Sequence, residues 1–206
     1  MPKRNRGYKK GRAHRDARLF VIVAEGVRED EYFAWFNEQN QRIRVKLIDR
    51  VENRSAPSHF LERIELFIKE TGWSPNENDQ LWLVLDVDKW QRESITTLEI
   101  AVQGSPNWFI AISNPCFEVW LHYHLAAVIS LELDSCTKLK QHLHEVTHTG
   151  YKVEDFGPLL KIACLNASNA DASNGNYPDF LQTKVYRLGK EMLTVLGNTF
   201  PQHPYK

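Results

Sequence analysis

The chain has 206 residues, 42% of them hydrophobic and 25% charged, and its 26 basic and 26 acidic groups cancel. That length and apolar content suit one domain with a sizeable core and exclude wholesale disorder. Three widely spaced cysteines, Cys116, Cys136 and Cys164, exclude a disulfide framework or a Cys-x-x-Cys zinc site, and no apolar stretch nears membrane-spanning length; a soluble, cytoplasmic protein is expected.

The neutral total hides a polarised chain. Residues 1–20 hold Lys3, Arg4, Arg6, Lys9, Lys10, Arg12, Arg15 and Arg18 against Asp16, a local net of +7 that the rest of the chain balances with −7. Residues 1–17 lack apolar periodicity and read as a flexible basic arm. Such an arm suits salt-sensitive phosphate contact, and a solubilising tail has the same composition.

Leu19–Ala24, an unbroken apolar run rich in β-branched residues, predicts a strand buried on both faces. Glu25-Gly26 ends it, and a helix follows from near Arg28, carrying Tyr32, Phe33 and Phe36 at helical spacing. Ile43–Val51 predicts a second strand and Ser58–Thr71 an amphipathic helix stopped by Gly72. Gln80–Val87 reads as a third strand, Glu93–Val102 as a helix, and Asn107–Ser113 as a fourth strand. Asn114 and Pro115 then suit the N-cap and first position of a helix with Glu118 in its first turn. Beyond Ala127 the pattern is helical or loop-like. Helices are expected over Lys138–His148 and Phe156–Ala167, a polar loop over Asn169–Asn176, and a last helix at the end of Tyr177–Leu196.

Strands alternating with helices predict an α/β fold: an open, mainly parallel sheet of about four strands with helices on both faces, plus a helical C-terminal region. Residues 18–131 form the expected core, and 132–206 an extension packed on the same domain. Ligands of such sheets bind outside the carboxyl ends of the strands. Glu25, Asp86, Asp88 and Glu118 all fall at that edge. Asp86 and Asp88, two apart, project on one face of an extended strand and would raise each other's pKa unless a cation lies between them. Hard oxygen pairs of this kind suit Mg²⁺, with Mn²⁺ as a substitute.

A competing motif is His144-Glu145-Val146-Thr147-His148, the HExxH of zinc peptidases. Gly150 closes its helix early, and no third ligand follows at a suitable distance, so a peptidase is disfavoured. His122 and His124 flank Tyr123 and read as packing residues. No nucleophile elbow or Walker loop is present.

Three blocks give the chain a resemblance: LFVIVAEG (19–26) with Glu29 and Tyr32-Phe33 behind it, LVLDVD (83–88), and SNPCFEVWLHYH (113–124). Weaker echoes are Gly150-Tyr151-Lys152 and Thr183-Lys184-Val185-Tyr186. Over about residues 18–190 the chain resembles the RloB family, whose fold is Toprim-like; Arg28 departs from the small capping residue expected there. The resemblance implies a Mg²⁺-dependent enzyme that breaks phosphodiester bonds. It casts Glu25 as the general acid/base or metal-binding Glu, and Asp86 and Asp88 as the metal pair. It also implies RNA (tRNA among the candidates) as substrate, a role in anti-phage abortive infection, and an ATPase partner from the same locus.

From the residues themselves, Glu29 and Glu118 could supply a second metal, while Lys89, Lys152 and the arm could contact the phosphate backbone. No tyrosine is placed as a topoisomerase nucleophile, which favours hydrolysis over strand passage. The rival expectation is a Toprim-like module that binds nucleic acid or an ATPase partner without cleaving. A homo-oligomer fits either reading.

Overall fold

The computed structural model describes residues 17–50, 57–87, 90, 92–148, 150–197 and 200. A five-stranded sheet runs in the order β2-β1-β3-β4-β5. Its strands are β1 (Arg18–Ala24), β2 (Ile43–Leu47), β3 (Gln80–Asp86), β4 (Trp108–Asn114) and β5 (Gln182–Thr183). The first four are parallel, and β5 joins the β4 edge antiparallel. The expectation of about four strands therefore needs correcting by one. A two-residue strand has no periodicity of its own; β5 exists because Ser113 and Asn114 offer it an edge.

The central strands are apolar throughout because both their faces are covered. Phe20, Ile22, Ala24, Trp82 and Val84 point to one side, under α1 (Val27–Ala34), α4 (Glu118–Leu125), α5 (Cys136–Thr147), α7 (Leu160–Ala170) and α8 (Val185–Leu196). Val21, Val23, Leu81, Leu83 and Leu85 point to the other, under α2 (Pro57–Thr71) and α3 (Arg92–Gln103). Helices on both faces of a mostly parallel sheet are what the alternating sequence pattern predicts. Arg63 of α2, buried, closes the top of this layer by donating to the carbonyls of Ala24, Ile48 and Asp49.

β2 ends at Leu47, short of the expected Val51, and two further boundaries differ from the sequence reading. Asn114 does not cap a helix: it is the last residue of β4, its side-chain amide donates to the Pro178 carbonyl at 3.0 Å, and the Asn114–Pro115 peptide is cis. The helix instead begins at Glu118, after Phe117. The helix expected over Phe156–Ala167 is divided into α6 (Val153–Phe156), a 3-10 turn at Gly157–Leu159 holding Pro158, and α7. Proline removes the backbone donor that a continuous helix would need at this point. None of the three cysteines is in a disulfide, and no helix among the described residues is long and apolar enough to cross a membrane.

Candidate active site

From β1 the chain runs to β2 on one side and then crosses to β3 on the other, with α1 and α2 on opposite faces of the sheet. That reversal opens a crevice between the carboxyl ends of β1 and β3, the usual ligand position in open α/β sheets. A pocket of about 330 Å³ occupies it. Its charged lining is Glu25, Arg28 and Glu29 from the β1–α1 turn, Asp86 from the end of β3, Glu118 from the start of α4, and Lys140 from α5.

Register explains why residues 61 apart meet. Ala24 pairs with Val84, so Glu25, which follows β1, and Asp86, which ends β3, come out on one rim. The Asp86 backbone N–H reaches Glu25 Oε2 at 3.5 Å, and the Trp90 indole N–H donates to the same oxygen at 3.1 Å. Glu29 folds back over Gly26. A Cβ there would collide with Glu29 Oε2, so the glycine leaves room for the carboxylate in this position.

The acids are costly where they stand. Asp86 Oδ1 is buried and has no hydrogen-bond partner. Burial, then the charges of Glu29, Glu25 and Glu118, push the Asp86 carboxyl well above the usual carboxylate range, against a bond from the Phe117 N–H. Glu29 is pushed up to about 7, first by burial and then by Glu118, Glu25 and Asp30, although it accepts a bond from its own N–H. Glu118 is relieved differently: Arg28 pairs with its Oε1, and Lys140 Nζ lies 3.8 Å from the same oxygen.

The structure thus brings together Glu25, Glu29, Asp86 and Glu118. Asp88, Lys89 and the arm residues Arg4, Arg6, Lys9, Lys10 and Arg12 lie outside the described residues. β3 ends at Asp86, where Val87 N–H turns to donate to both Ser113 and Pro115 carbonyls, so the strand alternation argued for Asp86 and Asp88 stops at the first of them. Lys152 is exposed at the start of α6 and does not line the pocket. His144, Glu145 and His148 are exposed at the end of α5, with His148 in the left-handed region at φ 56°. Nothing there supports a zinc peptidase. His122 and His124 are buried packing residues, bonded to the Leu139 and Trp120 carbonyls.

Three contributors escaped the sequence reading: Arg28, Lys140 and Trp90. Arg28 stood out only as an unexpected cap, and an ion pair to a residue 90 positions away leaves no local trace.

Among the described residues no three His, Cys, Asp or Glu side chains converge closely enough to enclose a metal ion. The donors still suit a hard cation. They are all carboxylate oxygens, one is buried without a partner, and burial together with the neighbouring acids raises the pKa of both Asp86 and Glu29.

A family model described as RloB-like protein matches residues 20–192. The chain belongs to the RloB-like family. The match begins inside β1 and ends inside α8, so every residue lining the pocket falls within the RloB-like segment, and the basic arm lies outside it. No protein of curated function and no solved structure matches the chain.

Proposed function

We propose that this RloB-like chain is a Mg²⁺-dependent nuclease of Toprim type that hydrolyses phosphodiester bonds, with RNA, tRNA included, as its substrate. The observation that carries the reading is Asp86 Oδ1, buried and partnerless amid three further carboxylates at the switch point of the sheet. A cluster of this kind is electrostatically unfavourable until a cation enters it. Asp86, Glu25 and Glu29 are the residues that would hold the ion. When bound, Mg²⁺ supplies Lewis-acid charge to a phosphodiester and makes water a better nucleophile at neutral pH. Glu25, fixed by the Trp90 indole, is the candidate for moving a proton to or from the reacting oxygens. Arg28 and Lys140 add positive charge to the rim, where phosphate oxygens would lie.

Action in anti-phage abortive infection, beside an ATPase partner, is proposed on family membership alone. A second reading, a module that binds nucleic acid or a partner without cleaving it, draws on the lack of three converging donors among the described residues. Incubating the purified chain with Mg²⁺ and total tRNA, plasmid or single-stranded DNA separates the two. Cleavage that disappears on chelation and in folded Asp86→Ala supports the nuclease. Equal binding by both proteins, with no product from either, supports the module.

A further inference from the structure

The seam between α4 and α5 brings two sulfurs together. Cys116, only 2% exposed, follows Pro115 where the chain leaves β4, and Cys136 is the first residue of α5. The two helices are pinned against each other. The His122 ring of α4 is hydrogen-bonded to the Leu139 carbonyl of α5 at 3.2 Å, and Lys140 Nζ lies 3.8 Å from Glu118 Oε1. Cys136 stands one turn before Lys140 and Cys116 just before Glu118, so both cysteines fall on this seam. Cys136 packs on the apolar cluster that contains Cys116, and the two thiols are hydrogen-bonded to each other.

Their surroundings differ. Cys136 is half-buried in the first turn of a twelve-residue helix, where the helix dipole favours an anion and hence a thiolate. Cys116 is enclosed by protein and reaches a reactant only through its neighbour. Cys164 sits elsewhere, buried in α7 against the Tyr186 carbonyl at 3.7 Å. A half-exposed thiolate touching a buried thiol is the arrangement in which a sulfenic acid is resolved as a disulfide.

We propose that Cys116 and Cys136 are a redox pair that a hydroperoxide converts to a reversible disulfide, Cys136 attacking and Cys116 resolving. The Cys136 thiolate attacks one peroxide oxygen, the O–O bond breaks, and the departing hydroxide takes a proton to leave as water. Cys136 is then a sulfenic acid. The Cys116 thiol attacks that sulfur, the S–S bond forms as the S–O bond breaks, and its proton leaves with the hydroxide as water. Two thiols thus give two electrons and two protons to one hydrogen peroxide, which becomes two waters. A dithiol reductant restores both thiols by exchange. The bridge would tie the turn after β4 to the start of α5, beside Glu118 and Lys140 of the pocket. The inference is independent of the nuclease reading.

Mass spectrometry tests it. The full-length protein is reduced, freed of reductant, and treated in the folded state with a small excess of hydrogen peroxide and a chelator. It is then denatured in iodoacetamide and digested. Wild type is expected to lose two alkylatable thiols, to yield a peptide pair joined through Cys116 and Cys136, and to recover both thiols in dithiothreitol. Cys164 should stay alkylatable throughout. Cys116→Ala should hold a sulfenic acid at Cys136 that dimedone labels, and Cys136→Ala should keep Cys116 reduced. Wild type that keeps all three thiols, pairs through Cys164, or runs on to sulfinic acid at Cys136 without a bridge overturns the proposal. Oxidation of Cys116 in a folded Cys136→Ala protein overturns the assignment of the attacking thiol. The wild-type peptide map decides even where a variant fails to fold.

Discussion

Asp86 and His124 are both buried ionisable groups, and their surroundings treat them in opposite ways. His124 is provided for: its Nδ1–H donates to the Trp120 carbonyl at 3.0 Å, which leaves Nε2 to accept from the Tyr32 hydroxyl at 2.9 Å. Burial lowers its pKa to about 3, against 6.5 for an ordinary histidine, so it is neutral in the folded protein. The unfolded chain therefore binds the extra proton between pH 6.5 and 3, and stability falls as pH falls through that window. Wild type should lose about 2 kcal/mol between pH 7.5 and 5 from this group, read by urea unfolding at each pH. His124→Gln, less stable at neutral pH, should lack that additional acid loss. Asp86 has no such provision for Oδ1. Asp86→Asn should lower nuclease activity by about 100-fold or more in an initial-rate assay with saturating Mg²⁺.

At the scale of elements, α7 and α8 meet α4 with no space to spare. A Cβ on Gly189 would lie 2.6 Å from Cys164 Sγ and 3.1 Å from Leu160 Cδ1. Gly189→Ala should destabilise the protein by about 1–3 kcal/mol despite its better helix propensity, as measured by chemical denaturation. The turn into α8 is held by Lys184, fully buried, whose Nζ bonds both carboxylate oxygens of Asp171 and the Ser173 carbonyl. Lys184→Met should cost about 3–5 kcal/mol in the same experiment, because Asp171 would be left as a buried charge.

These contacts show where the sequence is and is not readable. The four parallel strands and their helices were legible from β-branched apolar runs, helical spacing, and stop signals such as Gly72 at φ 62°. The two-residue β5 was not, nor was the start of α4 at Glu118, since both depend on contacts to 178–183 made only after folding. Glu25 and Asp86 were legible because the ends of β1 and β3 can be placed from sequence, and topology gathers Glu29 and Glu118 beside them. Arg28, Trp90 and Lys140 were not, because their partners lie in other elements and leave no spacing pattern.

Across the whole molecule, charge is divided between an acidic body and a basic N-terminal segment. Arg18, where β1 begins, is tied to Glu191 of α8 at 2.9 Å. This is the edge of the sheet opposite the pocket. Deleting residues 1–16 should leave the fold intact, weaken RNA binding about 10-fold at low salt, and flatten the dependence of log affinity on log salt, as measured by fluorescence anisotropy. Cleavage at saturating RNA should persist in that protein, since the acids lie within residues 25–118.

The central claim, that these carboxylates are gathered for a divalent cation, is tested most directly by thermal melting at pH 8 of wild type and Asp86→Asn, each with chelator and with millimolar Mg²⁺. The account predicts that Mg²⁺ raises the wild-type Tm by several degrees. In chelator Asp86→Asn should melt at or above wild type, because a buried repulsive charge is gone, and it should respond little to Mg²⁺. A wild-type Tm unmoved by Mg²⁺, or an Asp86→Asn protein that gains as much from Mg²⁺ as wild type does, would contradict it.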